Sequence, residues 1–354
     1  MRLLMVTYPL TPVTPTACGG TEQVAFQLLR AWSRRSDFSL TWIGAAGSWP
    51  LAGVDFLSWD ELLERGGQAP PGHGPLSPAG LELLRQRWSA ALARFQQNRR
   101  WDLLHDQGAL GVRLKSAGAP LLRTLHLARP LYPDSTFQSP GREFHLQCVS
   151  RTQYQLYGER ACCGWIGNGI DLSQFPARSR APGPGAPLVF LGRICPEKAP
   201  HEAIAVARAA RRRLWIVGAV APFPSHQEYF HRLIAPALDG DIAWLPPPSL
   251  ADKRTLLAEA AAVLIPSRIA ETSSLVAMEA AASGVPVLAT PSGALPEIVA
   301  DGESGWLGSS ADFPAFLQRL DAIDARACRR RAQRLFSADL MVAAYAALYR
   351  RLVG

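Results

Sequence analysis

Short apolar runs alternate along this chain with longer segments whose apolar residues recur at helical spacing. That order, strand then helix from end to end, predicts parallel sheets with helices on both faces. In the first half the pattern places strands at 3–7, 40–44, 54–57, 103–104, 121–126, 146–149 and 163–166. Helices fall at 21–33 and 81–97, the second after a Pro/Gly-rich loop at 69–78. Residues 175–187, FPARSRAPGPGAP, keep no periodicity and are punctuated by Pro and Gly, which reads as a linker. The alternation then restarts, with strands at 188–191, 214–217, 242–245, 262–265 and 285–289. Helices lie between them at 197–212, 227–238 and 250–260, and helical segments from 312 to 352 close the chain. The expected organisation is a first domain over 1–174, a linker over 175–187, a second domain over 188–336 and a terminal helical segment over 337–354.

A length of 354 residues exceeds one ordinary core and agrees with two domains. An apolar fraction of 48% with 19% charged residues is globular. No apolar run reaches the roughly 18 residues that span a bilayer. The opening MRLLMVTYPL is too short and too strand-like for a signal peptide, so the chain reads as cytoplasmic. The six cysteines form no CxxC pair, which points to reduced thiols and neither a zinc site nor a redox motif. The net charge of +8 comes almost wholly from arginine; Lys115, Lys198 and Lys253 are the only lysines. The arginine runs 211–213 and 329–331 follow or lie on helix patterns and read as solvated helix ends that complement the dipole. They lack the interleaved aromatics that base stacking requires, so no nucleic-acid partner is expected. The basic helix at 84–100 has apolar residues at the spacing of a helix packed on a sheet, with peripheral membrane contact as the second reading.

Candidate chemistry gathers where strands give way to helices, the carboxyl edge at which parallel sheets bind ligands. Gly19-Gly20-Thr21-Glu22 follows the first strand; glycines there let a backbone approach a phosphate, and a tight turn is the plainer alternative. Gly192-Arg193-Ile194-Cys195-Pro196-Glu197-Lys198 occupies the equivalent place in the second half. Arg193 and Lys198 could bracket a diphosphate, arginine as a fork and lysine as a point charge. Glu271 lies in a Ser/Thr-rich loop after strand 262–265, and Glu279 follows eight residues on in an Ala-rich helix. One carboxylate beside a helix N-terminus and a second within the helix could hold hydroxyls while backbone N–H groups hold phosphate, the needs of a sugar nucleotide. His126 ends one strand, and His105-Asp106 ends another. Asn168-Gly169-Ile170-Asp171 signals a turn. Asp239 and Asp241 have the spacing of a metal-binding pair but precede a strand, at the amino edge, and read as a turn.

Taken in order, GGTE, the histidine of TLH, NGID, LGRICPEK, PSRIAETSSLVAMEA and PEIVADGESGWL resemble glycosyltransferase family 4, the retaining glycosyl transferases group 1. The resemblance covers nearly the whole chain. It implies the α/β GT-B fold: two Rossmann-like parallel-sheet domains facing across a cleft, with the C-terminal helix returning to the first. It implies that Arg193 and Lys198 bind the donor diphosphate and that Glu271 holds sugar hydroxyls. The amides of Ser273, Ser274 and Leu275 would meet sugar and phosphate, and Glu279 the ribose. Gly19 and Gly20 would let the first domain approach the donor phosphate, with His126 beside the transferred sugar. Two departures stand out: Thr272-Ser273-Ser274 replaces the family's Pro-Phe-Gly, and Ser292-Gly293-Ala294 replaces its Gly-Gly.

The implied reaction is retaining transfer of a sugar from a nucleoside diphosphate sugar to an acceptor hydroxyl. His126, Glu271, Arg193 and Lys198 would carry the chemistry, with no required metal or other cofactor. The alternatives are a sugar-nucleotide epimerase of the same fold and a non-catalytic nucleotide-sugar-binding protein. The acceptor would be a sugar-containing or other hydroxyl compound, its site shaped by first-domain loops at 11–18 and 127–141.

Overall fold

The computed structural model describes residues 1–17, 19–68, 77–108, 112, 114, 118–138, 143–158, 162–180 and 182–354. Most of the loop expected at 69–78, Lys115, Cys18, Ala181 and residues 139–141 of the acceptor-side loop lie outside the described residues.

Two compact units emerge: residues 1–167 with 341–354, and residues 168–340. The first holds strands β1 (Arg2–Val6), β2 (Ser39–Gly44), β3 (Val54–Ser58), β4 (Leu103–Asp106), β5 (Leu121–Leu125), β6 (Phe144–Cys148) and β7 (Gly164–Trp165). The second holds β8 (Leu188–Leu191), β9 (Leu214–Val217), β10 (Ile242–Leu245), β11 (Ala262–Ile265), β12 (Val287–Ala289) and β13 (Gly305–Leu307). The first sheet runs β3-β2-β1-β4-β5-β6-β7 and the second β10-β9-β8-β11-β12-β13. Every strand pairing is parallel. Strands β8 and β11 are buried from end to end, as their continuous apolar runs require in sheets covered on both faces, and β5 is equally buried although it carries Arg123 and Thr124.

The break between units falls at Gly167/Asn168, ahead of the expected linker. Ile170 and Phe175 explain this, because both are buried in the second unit's core with Val189, Val263 and Met278. Gly169 lies against the backbone of Ser337 and Ala338, where a Cβ would come within 2.5 Å of the Ser337 carbonyl. The NGID turn is thus a packed turn of the second unit. At the other end, the helix Ala338–Val353 gives its residues from Met341 onward to the first unit.

Prolines account for three differences from the expected elements. The helix expected at 197–212 begins only at Pro200 and ends at Ala209. A proline four residues into a helix would lack its donor and clash with the preceding turn; Ala199 instead turns left-handed at φ 52°. The helix expected at 227–238 runs Pro224–Tyr229, widens to a π turn over Phe230–Ile234 and tightens to 3-10 over Ala235–Ala237. Pro236 cannot donate to the ladder, which respaces around it. Strand β12 starts at Val287 because Pro286 has no N–H to give.

The arginine runs correct another expectation. Arg329 donates to the carbonyls of Phe175 and Ala282, and Arg331 to those of Ile298 and Glu297. Arg212 and Arg213 cap the carbonyls of Ala186 and Gly185. These guanidiniums tie loops to helices rather than lying wholly in solvent. Among the described residues, no helix is long and apolar enough to cross a membrane.

Candidate functional site

Strands β8 and β11 are neighbours, and the order of the second sheet reverses between them. Ligands of open α/β sheets bind at such a switch point, outside the carboxyl ends of the strands. The loop 192–199 leaves β8 there and the loop 266–274 leaves β11 there. One backbone hydrogen bond ties these loops together, Arg268 N–H donating to the Glu197 carbonyl at 2.8 Å, and Ser267 Oγ lies 3.3 Å from the same oxygen.

Lys198 and Glu271 meet inside this loop pair. Lys198 Nζ lies 2.5 and 2.7 Å from the two carboxylate oxygens of Glu271. Ser267 Oγ donates to Glu271 Oε1 at 2.6 Å. The Glu271 side chain is 7% exposed and that of Lys198 26%, so the carboxylate is buried and the lysine is partly open to solvent. Arg193 stands at the rim, 55% exposed, with Glu197 3.6 Å away. Ser274 caps the helix Leu275–Ala282, its hydroxyl accepting from Ala277 N–H. The amides of Ser273, Ser274 and Leu275 therefore lie at that helix's N-terminus, which favours anions. Ser273 Oγ is buried there and has no hydrogen-bond partner among the described residues.

Glu279 lies within the same helix and is almost sealed, its side chain 1% exposed. Burial raises its carboxyl above the ordinary 4.5, and Lys253 pulls it back down. Lys253 Nζ holds both oxygens, at 2.9 and 3.1 Å.

The departures at 272–274 and 292–294 have a structural reading. Gly293 has φ 59°, and a Cβ on it would fall 2.2 and 2.4 Å from the backbone O and N of Glu271. This is the position that demands glycine. Ala294 needs only an amide, which donates to the Glu271 carbonyl at 2.7 Å, and Ser292 Oγ donates to the Ile269 carbonyl at 2.7 Å. Ser274 has φ −138°, ordinary for any L residue.

The remaining expected residues lie in the first unit. Gly19 is the N-cap of the helix Gly20–Ser33, and a Cβ on it would meet the Glu22 carboxylate at 1.9 Å. Glu22 is buried, which raises its carboxyl. His126 follows β5 and is buried, its imidazole lowered to about 4 by burial. Its Nε2 lies 2.5 Å from Gln107 Oε1. Asp106 at the end of β4 forms a buried ion pair with Arg123 at 2.7 Å, and Arg123 also donates to the Thr136 and Val112 carbonyls. This arginine anchors the loops that follow β4 and β5. Asp239 forms a turn, its Oδ1 accepting from the amides of Asp241 and Ile242.

Three contributors escaped the sequence reading: Ser267, Lys253 and Gln107. Lys253 carried a signal, since it is one of only three lysines. Ser267 and Gln107 carried none beyond their places after strand ends.

Two doubly wound parallel sheets, with a lysine–carboxylate pair at the second sheet's switch point, define the GT-B class of architecture. Sucrose-phosphate synthase from Thermosynechococcus elongatus shares that fold with TM-score 0.77 and 16% identity, over 99% of each chain. Anabaena Alr3699/HepE, solved in complex with UDP-glucose, shares it with TM-score 0.74 and 17% identity, over 99% of this chain and 100% of that one. Residues 186–323, within the second unit, match the family model Glycosyl transferases group 1. A D-inositol 3-phosphate glycosyltransferase of Frankia alni is 36% identical over 177 residues, 45% of this chain and 43% of that protein. The chain spans about half the length of the curated relatives it matches.

Proposed function

We propose that this protein is a retaining glycosyltransferase that moves a sugar from a nucleoside diphosphate sugar to an acceptor hydroxyl without a required metal. The observation that carries the reading is the Lys198–Glu271–Ser267 constellation at the second sheet's switch point, inside the family-matched segment. An ammonium has three N–H donors. Lys198 directs two of them to Glu271 and turns the third to a donor phosphate oxygen. Arg193 adds a fork from the rim, and the N-terminus of the helix Leu275–Ala282 adds its dipole. Charge building on the departing diphosphate is stabilised by groups already in place, the largest single source of rate enhancement in many enzymes. Glu271 keeps lone pairs for sugar hydroxyls, and the place of His126 in the motif order supports reading it as the residue beside the transferred sugar. Both Glu271 and Glu279 already face a lysine, an environment that disfavours a divalent cation. The Frankia relative's name and the UDP-glucose of the Anabaena structure support a nucleotide-sugar donor.

Thermal unfolding with UDP, GDP, ADP and TDP tests the donor site. Ligand at about 100 times its Kd adds about 2.7 kcal/mol to stability. One nucleotide should raise the transition of the wild type and fail to raise that of Arg193→Ala or Lys198→Ala. No shift with any of the four, in folded protein, refutes the donor site. With that nucleotide's sugar as donor, the product's anomeric configuration tests retention, and unchanged turnover in EDTA tests metal independence. A new sugar nucleotide formed without acceptor identifies an epimerase instead.

A further inference from the structure

A continuous buried chain of hydrogen bonds links His126 to the last helix of the first unit. His126 Nε2 lies 2.5 Å from Gln107 Oε1, and Gln107 Nε2 lies 3.1 Å from His105 Nε2. His105 Nδ1 lies 2.5 Å from the Tyr349 hydroxyl. Thr124 Oγ1 joins from β5, 2.8 Å from His105 Nε2 and 3.1 Å from the Tyr345 hydroxyl. All six side chains are buried. Burial lowers His105 to about 3 and His126 to about 4, so near neutral pH each ring carries a single proton.

An amide is asymmetric: its oxygen only accepts and its nitrogen only donates. With Oε1 toward His126, the proton of that ring must sit on Nε2. With Nε2 toward His105, that ring's proton must sit on Nδ1, where it is donated to Tyr349. Thr124 Oγ1 shares the His105 Nε2 lone pair with the Gln107 N–H and accepts from Tyr345. Turning the amide over would exchange both tautomers at once, so Gln107 couples the two imidazoles.

We propose that Gln107, oriented by His105 and Tyr349, is a positioning residue that fixes His126 as its Nε2–H tautomer and sets the ring's plane before substrate arrives. Its catalytic consequence rests on the reading of His126 as the residue beside the transferred sugar. A tautomer held by a second residue is a large lever on imidazole chemistry. A chain that only clamped the terminal helix would also be buried, but breaking it would leave the chemistry of His126 unmoved.

Long-range proton–nitrogen NMR of the histidine rings tests this on the full chain, in wild type, Gln107→Met and Tyr349→Phe. The wild type should show His126 protonated on Nε2 and His105 on Nδ1, and His126 should become a mixture in both variants. An Nδ1–H form of His126 in the wild type, or an unmixed Nε2–H form persisting in Gln107→Met, overturns the proposal. UDP release from UDP-glucose supplies the kinetic arm. Gln107→Met should lower kcat about tenfold with KM changed by less than about twofold. A mixed tautomer with unchanged kcat overturns the positioning role. Wild type that releases no diphosphate from the glucose donors of UDP, GDP, ADP or TDP fails the donor reading instead, and the ring spectra still decide the tautomer.

Discussion

Glu271 takes its partners from three separate places in the chain: Lys198 and Ser267 on its carboxylate, Ala294 on its carbonyl. Gly293 makes that convergence possible by having no side chain. Gly293→Ala should cost at least about 1–3 kcal/mol in backbone strain alone, and it should push Glu271 off Lys198. Urea unfolding and nucleotide titration should therefore both register it, with affinity falling further than stability explains. Lys253 does for Glu279 what Lys198 does for Glu271, but in a drier setting. Glu279 has a folded carboxyl raised above 4.5, so above that pH the folded state holds a proton more tightly than the unfolded chain. Stability is therefore lost as pH rises through the window above 4.5. Removing the lysine widens that window. Lys253→Met should cost about 3–5 kcal/mol near neutral pH, less as pH falls toward 4.5, with most recovered by adding Glu279→Gln. A cost independent of pH between 4.5 and 7 would contradict the pairing.

Element boundaries decide which backbone groups face the site. Pro200 keeps Lys198 out of the helix that follows, leaving it in a turn that reaches toward Glu271. Sequence periodicity ran the helix back to 197 because Glu197 and Lys198 are good helix formers, and only the proline's geometry overrules them. Ser274 illustrates the opposite case, a departure from the family motif that costs the element little. Its hydroxyl caps the helix that presents the anion-binding amides. Ser274→Ala should lose about 1 kcal/mol, whereas Ser274→Gly should lose only a few tenths. Denaturation midpoints of the two variants distinguish a cap from a side chain that only occupies space.

Each unit of the whole molecule has its own sheet and its own core, and the chain's last helix supplies the first unit with Tyr345 and Tyr349. Both rings are fully buried against β4 and β5 through His105 and Thr124. A chain ending at Leu340 should lose hydrogen-exchange protection in β4 and β5 while β8 and β11 keep theirs. Equal loss in both sheets would show that the two units do not unfold separately. His105 and His126 add a pH dependence at this scale. Their folded pKa values lie below the ordinary 6.5, so the unfolded chain binds the protons first. Stability should fall as pH drops from 6.5 toward 4, by up to about 1.4 kcal/mol per pH unit for each ring. His105→Asn should show a shallower fall than the wild type over that range.

The alternation of apolar runs determined the two parallel-sheet halves, because strands buried on both faces are mostly apolar, and the polar exceptions in β4 and β5 are paired. The residue types after each strand determined where the candidate site lies: Gly192–Lys198, Glu271 and the amides that follow it. Periodicity could not place Ile170 and Phe175 in the second core, since a segment's partners are set by what it packs on. Nor could it show that Glu279 is sealed by Lys253, that Arg329 and Arg331 bind carbonyls, or that Gln107 joins two histidines. Those contacts are made by residues far apart in the chain. Their geometry exists only once the sheets have formed and burial has removed water as the competing partner.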